Sequence, residues 1–326
     1  MNPFAQTQLD RVDRFGEEQL VHFIKEWLAD ASPESPQGIG DDTAVLQVPC
    51  GRSLLLTTDS LTYTVHFDDT ASPAQAGAKL LKRNLSDIAA MGGSPLHSVV
   101  AITCGADLSV QWLEGFFHGL RDAAILTKCE INGGDLSQGA EGTFTATLSL
   151  VGQAEKPIYR KGGSAESWVW VTGSLGGSIL GHHLSFQPRL KEGQWLGKNE
   201  AVTAMMDVTD GLASDLPKML PEGLRAKLDL SCIPTSDEAR AAAQDTGKPA
   251  VWHAFTDGED YELLFFTKPG IDHVAFEEAW KEDFKIPLAA IGTLEEATSQ
   301  KGSSSNLIVD LDGRPVFSEG GFTHFE

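Results

Sequence analysis

Hydrophobic and polar positions along the chain recur with two periods. In EEQLVHFIKEWLAD (17–30), Leu20, Phe23, Ile24 and Trp27 fall at helical spacing and share one face. SPAQAGAKLLKRNLSDIAAMGG (72–93) predicts a second helix, with Ser72 as N-cap, Pro73 in the first turn and glycines at the end. Its apolar stripe is Leu81, Leu85 and Ile88; Asn84, Asp87 and Met91 lie roughly 100–120° around from that stripe. A third helix is predicted near 109–127, with Trp112, Phe116 and Leu120 inward. SLLLTTDS (53–60) reads as a buried strand, and further strands are predicted near 96–103, 129–132 and 143–151, with a hairpin-like pair among them.

A polar, glycine-rich stretch, EKPIYRKGGSAES (155–167), follows, and the domain boundary is placed near residue 152. That divides the chain into 1–152 and 153–326. In the second half, WVWVTGSLGGSILG (168–181) predicts strand, glycine-rich turn and helix. AMMDVTDGLASDLPKML (204–220) predicts short strand, acidic turn and helix. EDYELLFFT (259–267) reads as a strand, 271–281 as a helix and QKGSSSN (300–306) as a surface loop. Strands alternating with helices in both halves predict a two-domain α/β protein with mixed sheets.

Composition narrows the classes. With 326 residues, 41% hydrophobic and 22% charged, the chain suits two globular domains. It holds no apolar run long enough to span a bilayer, and its first twenty residues lack a signal-peptide core, so a cytoplasmic location is expected. The net charge of −21 argues against a nucleic-acid or anionic-membrane partner, although cations could still bridge the protein to a polyanion. Cys50, Cys104, Cys129 and Cys232 are far apart and form no C-x-x-C, which reads as free thiols rather than a zinc site.

The candidate chemistry lies in aspartates at turns and element ends. They are Asp41 and Asp42 in GIGDDTAVL, Asp59 in TTDS, Asp87 in NLSD, Asp135 in GGD, and Asp207 and Asp210 in DVTDG. Any one alone is ordinary turn or cap chemistry. As a set they need more. Asp87 falls near the end of a predicted helix, where it meets the negative pole of the helix dipole, and Asp59 ends an apolar strand. A cation would offset both. Oxygen donors without a cysteine or histidine cluster point to Mg²⁺ or Ca²⁺, and no EF-hand loop is present. Mg²⁺ commonly sits between one or two carboxylates and substrate phosphates, which is how an acidic protein could hold a nucleotide. There is no Walker A sequence and no protein-kinase H-R-D or D-F-G set. GSLGGS (173–178) could seat a phosphate or be a plain turn, and Arg160 and Lys161 could touch phosphate or belong to a solvated linker.

The motifs GIGDDTAVL, TTDSLTYTVHF, NLSDIAAMGG, INGGD, VTGSLGGS, DVTDGLASDL and GEDYELLF, in that order, resemble the thiamine-monophosphate kinases. That family belongs to the aminoimidazole ribonucleotide synthetase-like ATP enzymes, and the resemblance runs from about residue 16 to the final GGFTHF. It implies an N-terminal ATP- and magnesium-binding domain that dimerises, its strands pairing with a partner's to close a β-barrel, followed by a C-terminal α/β domain. It implies transfer of the γ-phosphoryl group of ATP to thiamine monophosphate, with several Mg²⁺ ions. By the same resemblance Asp42, Thr57, Thr58, Asp59, Asp87, Asp135, Asp207 and Asp210 match magnesium ligands. Gly134, Asp135, Arg160 and Thr209 match ATP contacts, and His66, Glu259 and Phe322 match substrate contacts. No general base is expected, since a phosphate monoester is already anionic near neutral pH.

This sequence departs from the family pattern at four places. Leu136, Ser137 and Gln138 follow GGD, where Thr-Thr-Arg is usual. Gly177 replaces a usual Asp, the connection from Gly181 to Arg189 is short, and Phe322 stands where Tyr or Trp is common. Two other readings stay open: a different ATP-dependent small-molecule enzyme of the superfamily, and a non-catalytic magnesium-nucleotide-binding module.

Overall fold

The computed structural model describes residues 1–15, 17–33, 51–297 and 307–316. The chain divides into two compact units, Met1–Ile88 with Gly93–Glu155, and Ala89–Gly92 with Lys156–Glu326.

The first unit holds α1 (Glu17–Leu28), β1 (Ser53–Thr62), α2 (Pro73–Ala90), β2 (Ser94–Cys104), α3 (Val110–Thr127), β3 (Glu130–Gln138) and β4 (Phe144–Ala154). The last two residues of α2 belong to the second unit. A reciprocal cap starts α2: Ser72 Oγ accepts from the Gln75 N–H at 3.2 Å, and Gln75 Oε1 accepts from the Ser72 N–H at 2.9 Å. Ser109 caps α3 in one direction only, its Oγ accepting from the Trp112 N–H. Among the described residues a four-stranded sheet runs β1-β4-β2-β3. β4 is antiparallel to β1 and β2, whereas β2 and β3 are parallel. The consecutive strands β3 and β4 are therefore not neighbours; β2 lies between them, and β3 runs well past the predicted 129–132.

On one face of this sheet Leu61, Val100, Ile102, Ala146, Leu148 and Leu150 are buried. Among the described residues nothing packs on the other face. Leu54 and Leu56 lie on it, the latter 78% exposed, so β1 is not the buried strand its apolar run predicts. A strand at the edge of a sheet covered on one side only buries every second residue.

α2 and α3 cross at glycine. A Cβ on Gly119 would overlap the main chain of Ala74, and a Cβ on Gly77 would overlap the carbonyl of Phe116. Helix propensity alone favours alanine over glycine by about 1 kcal/mol at such sites. Overpacking against rigid backbone costs about 1–3 kcal/mol and wins.

The second unit contains β5 (Trp168–Thr172), α4 (His182–Ser185), α5 (Leu190–Lys198), β6 (Val202–Asp207), α6 (Leu212–Met219) and β7 (Leu224–Leu228). α7 (Asp237–Thr246), α8 (Ala250–Thr256), β8 (Leu263–Thr267), α9 (His273–Asp283), β9 (Leu288–Glu296) and β10 (Ile308–Val309) follow. Its mixed sheet runs β10-β7-β9-β5-β8-β6 and is buried on both faces. Val169, Val171, Met206, Leu264 and Phe266 pack with Leu212, Leu216 and Phe255. Trp170, Met205, Leu263 and Phe265 pack with Leu196, Phe276 and Trp280. This two-sided burial explains why WVWV and LLFF are apolar without alternation.

Two predicted elements differ here. The glycine-rich turn leads into a three-residue 3₁₀ turn, Ser178–Leu180, and the single-turn α4, not into a full helix. The strand predicted from 259 begins at Leu263, because Glu259 and Tyr261 both adopt left-handed backbone with φ of 54°.

Gly119→Ala is expected to lower the melting temperature despite its better helix propensity, by several degrees. A raised melting temperature would show that α2 and α3 do not meet at this glycine.

Candidate functional site

The period of two along β1 sorts the TTD motif. Thr57 pairs with Leu150 and Asp59 with Leu148, so both share the helix-packed face; Thr58 pairs with Ser149 on the open face. The helix-packed face brings Thr57, Asp59 and Asp87 together. Thr57 Oγ1 donates to Asp87 Oδ2 from β1 to α2, and Arg83, one turn earlier on α2, stands 3.5 Å from Asp59 Oδ1. Thr58 Oγ1 instead donates to the Leu148 carbonyl and accepts from Ser149 Oγ. Asp135 pairs with Ala101 in β2 and is exposed on the open face, where it accepts from Ser137 Oγ at 2.7 Å. Adjacent Gly134 pairs with Val100, whose carbonyl leaves no room for a side chain. His66 Nδ1 accepts the Thr62 N–H at 3.0 Å, which places the ring proton of the neutral imidazole on Nε2. The ammonium of buried Lys79 holds the His66 carbonyl at 2.8 Å.

In the second unit the acidic turn after β6 is zipped to the segment before β8 by main-chain hydrogen bonds. Val208 N–H donates to Glu262 O, Tyr261 N–H to Val208 O and Glu259 N–H to Thr209 O, at 2.7 to 2.9 Å. Asp207, Thr209, Asp210 and Glu259 therefore share one end of the sheet. Asp207 is 5% exposed. Asp215, fully buried on α6, accepts the N–H groups of both Thr209 and Asp210 at 2.8 Å, and Lys218 Nζ reaches Asp215 and Asp210 at 2.8 and 2.6 Å. Burial raises the Asp215 pKa, against the pull of Lys218. Exposed Arg160 follows Tyr159, whose carbonyl accepts from Met205 of β6, so it stands along the edge strand that ends in Asp207. Lys161 is spent elsewhere, its ammonium on the Leu220 carbonyl. Asp42 and Phe322 lie outside the described residues.

The glycine-rich turn does not present its amides to a phosphate. Gly176 N–H donates to Asp260 Oδ1 and Gly177 N–H to Asp257 Oδ2, each at 2.8 Å. Both glycines have positive φ, and a Cβ on either would run into the main chain of α8 or α7. Beside the turn, Glu262 is 2% exposed and carries an ion pair to Arg189 Nε at 2.7 Å and to Arg189 Nη2, with Thr172 Oγ1 donating at 2.7 Å. The sequence reading missed Arg189, Asp215, Asp257, Asp260 and Glu262. Three acids in five residues next to LLFF were the available signal for the last two.

Two sequence patterns cover most of the chain: AIR synthase related protein, N-terminal domain, at residues 40–154, and its C-terminal domain at 156–301. The thiamine-monophosphate kinase of Rhodopirellula baltica is 34% identical over 269 residues, covering 80% of this chain and 84% of the relative. That of Aquifex aeolicus is 30% identical over 336 residues, covering 97% and 100%. The chain belongs to the thiamine-monophosphate kinase family. A solved structure of AaThiL complexed with AMPPCP and TMP is 29% identical, covers 98% of this chain and 100% of that one, and superposes with a TM-score of 0.72.

The donors at this family member's candidate site fit the magnesium that the family implies. They are carboxylate and hydroxyl oxygens without sulfur or imidazole. Among the described residues no three His, Cys, Asp or Glu side chains gather into a complete metal cage. Mg²⁺ needs none, since it takes one or two carboxylates and completes its shell with water and substrate phosphate.

Asp260 differs from these carboxylates. It is 2% exposed, its Oδ2 has no hydrogen-bond partner among the described residues, and burial pushes its pKa well above the ordinary value. A raised folded-state pKa gives stability that is fully present below the unfolded value near 4 and lost as pH rises through the folded value. Asp260→Asn, which keeps the acceptor for Gly176 and carries no charge, is expected to melt above the wild type at pH 7.5. The gain should shrink to nothing as pH falls toward about 4. A wild type that is the more stable form at pH 7.5 would mean that Asp260 is an ionised, well-compensated group.

Proposed function

We propose that this protein transfers the γ-phosphoryl group of ATP to thiamine monophosphate, giving thiamine diphosphate and ADP. The observation that carries this reading is the end-to-end similarity to AaThiL complexed with AMPPCP and TMP. An oxygen of the acceptor's phosphate attacks the γ-phosphorus, and the bond from that phosphorus to the β-bridging oxygen breaks. The attacking oxygen is already anionic, so no side chain needs to remove a proton. The difficulty is bringing one anion onto another. Bound Mg²⁺ would screen the two anions and stabilise the charge that builds on ADP.

The chain's own residues then have holding roles. Thr57, Asp59 and Asp87 in the first unit, and Asp207 and Asp210 in the second, are the metal-holding candidates; Asp135 and Thr58 act from the other face of their sheet, and Asp42 joins by family resemblance. Lys218 pairs with Asp210 and Arg83 stands beside Asp59, and a divalent ion held there would supply the positive charge in their place. Gly134, Thr209 and Arg160 are assigned to ATP, and His66, Glu259 and Phe322 to the acceptor. Buried thiols are consistent with a reducing cytoplasmic setting: burial pushes Cys104 to about 11 and Cys129 to about 12, so neither is a ready nucleophile. Among the described residues no helix is long and apolar enough to cross a membrane.

We also infer a homodimer. Leu54, Leu56 and Val99 expose apolar surface on the open sheet face, as a strand-paired interface requires. Sedimentation should return twice the 35.0 kDa of the single chain, and Leu56→Glu should halve it. A monomer at micromolar concentration removes the dimer from this reading.

The direct test is thiamine diphosphate formation from ATP and thiamine monophosphate, with and without Mg²⁺. Asp87→Asn and Asp207→Asn should each lower turnover roughly 10–100-fold and recover in part at high Mg²⁺. Arg160→Ala should raise the KM for ATP. If high Mg²⁺ leaves the aspartate variants unchanged while one limb of the pH profile disappears, the aspartate is a base and the metal-holding role is wrong.

A further inference from the structure

The short connection that ends at Arg189 meets the segment before β8 at three points. His183 Nδ1 stands 3.2 Å from Glu259 Oε2. The Phe186 ring stacks on Tyr261, with centroids 3.8 Å apart and planes 14° from parallel. Arg189 pairs with Glu262. The Tyr261 hydroxyl also donates to Glu259 Oε1 at 3.1 Å. The two oxygens of one carboxylate thus face two different groups, the Tyr261 hydroxyl at Oε1 and the His183 ring at Oε2.

Glu259 itself is held in an uncommon backbone conformation. Its φ is 54°, as is that of Tyr261, and its N–H is tied to the Thr209 carbonyl at 2.7 Å. Left-handed backbone at a non-glycine residue persists only where the surroundings over-determine it, and such positions cluster at ligand clamps. An ordinary surface pair of glutamate and histidine has little effect. This pair is different, because the His183 side chain is only 12% exposed while Glu259 keeps 30%. The histidine is inside, and the carboxylate faces outward from a buried brace.

We propose that His183 is a positioning residue which, with Tyr261, fixes the Glu259 carboxylate as acceptor for an N–H donor on a cationic or amino-bearing heteroaromatic substrate. It rests on the reading of Glu259 as a contact to the phosphoryl acceptor. A carboxylate has about four lone-pair sites. His183 and Tyr261 each occupy one, on opposite oxygens, and fix the plane of the remainder. An unbraced glutamate would have to lose rotamer freedom when substrate binds, whereas the braced one has already lost it. The effect therefore falls on acceptor binding and not on phosphoryl transfer. The histidine must carry its proton on Nδ1 to donate, so an amide placed at that position can replace it.

The experiment compares kcat, the KM for thiamine monophosphate and the KM for ATP in wild type, His183→Ala, His183→Asn, Tyr261→Phe and Glu259→Gln. Wild-type turnover, measured first, separates failure of the functional reading from failure of this one. His183→Ala should raise the acceptor KM about tenfold, as loss of one charge-assisted hydrogen bond does, with kcat and the KM for ATP within about twofold. His183→Asn should recover most of that loss. Tyr261→Phe keeps the Phe186 stack and should raise the same KM by a smaller factor. A fall in kcat with both KM values moving together, unrescued by asparagine, would mark a purely structural brace and overturn the proposal. A raised acceptor KM in Glu259→Gln with none in His183→Ala overturns it alone; an unchanged KM in Glu259→Gln overturns the Glu259 assignment and the proposal with it.

Discussion

Glu262 is an ionisable carboxylate almost wholly removed from water, and the second unit is arranged around satisfying it. An unpaired buried charge costs several kcal/mol, so the fold must deliver a cation and further donors to that point. Arg189 supplies two N–H groups, and the Thr172 hydroxyl supplies another while accepting from the Leu263 N–H. Burial pulls the Arg189 pKa down, but hydrogen bonds and attraction to Glu262 outweigh it and the net shift is upward. The consequences spread along the chain in both directions. Fixing Arg189 draws the preceding residues against Tyr261 and Glu259. The Glu262 carbonyl accepts from Val208 and so fixes the acidic turn after β6. One desolvated charge thus determines where three separate segments of sequence meet.

A different constraint governs the first unit. Among the described residues its sheet is covered on one side only, so strand geometry decides which neighbours can cooperate. Thr57 and Asp59 face α2, and Thr58 between them cannot. Consecutive letters of a motif are read together in sequence but act on opposite sides of a sheet. α2 must lie close for Asp87 to reach Thr57, and the glycine crossing with α3 shows how tightly that helix is packed.

Much of this was legible in the sequence because it depends on local periodicity. The stripe of Leu81, Leu85 and Ile88 and the cap at Ser72 gave α2 almost to the residue, and the apolar WVWV and LLFF runs gave the central strands. Of the acidic turns, the structure brings Asp207 and Asp210 to one end of a sheet with Thr209 and Glu259, and Asp87 to Thr57. What stayed hidden depends on long-range partners. Nothing near Leu56 says that its side chain stays exposed. Nothing near Asp215 says that it caps two amides of the preceding turn. The strand expected from Glu259 failed because two left-handed residues interrupt it, and side-chain patterning carries no information about φ at a glutamate or a tyrosine.

The glycine-rich turn at 173–178 has a consequence for selectivity. Its two amides are filled by carboxylates that lie 84 and 80 residues further along the chain. The turn is a cradle already filled by two carboxyl groups of the same chain. Free phosphate in the surrounding solution finds both N–H groups taken. Two glycines that read in sequence as a possible phosphate seat have been spent by the fold on its own side chains.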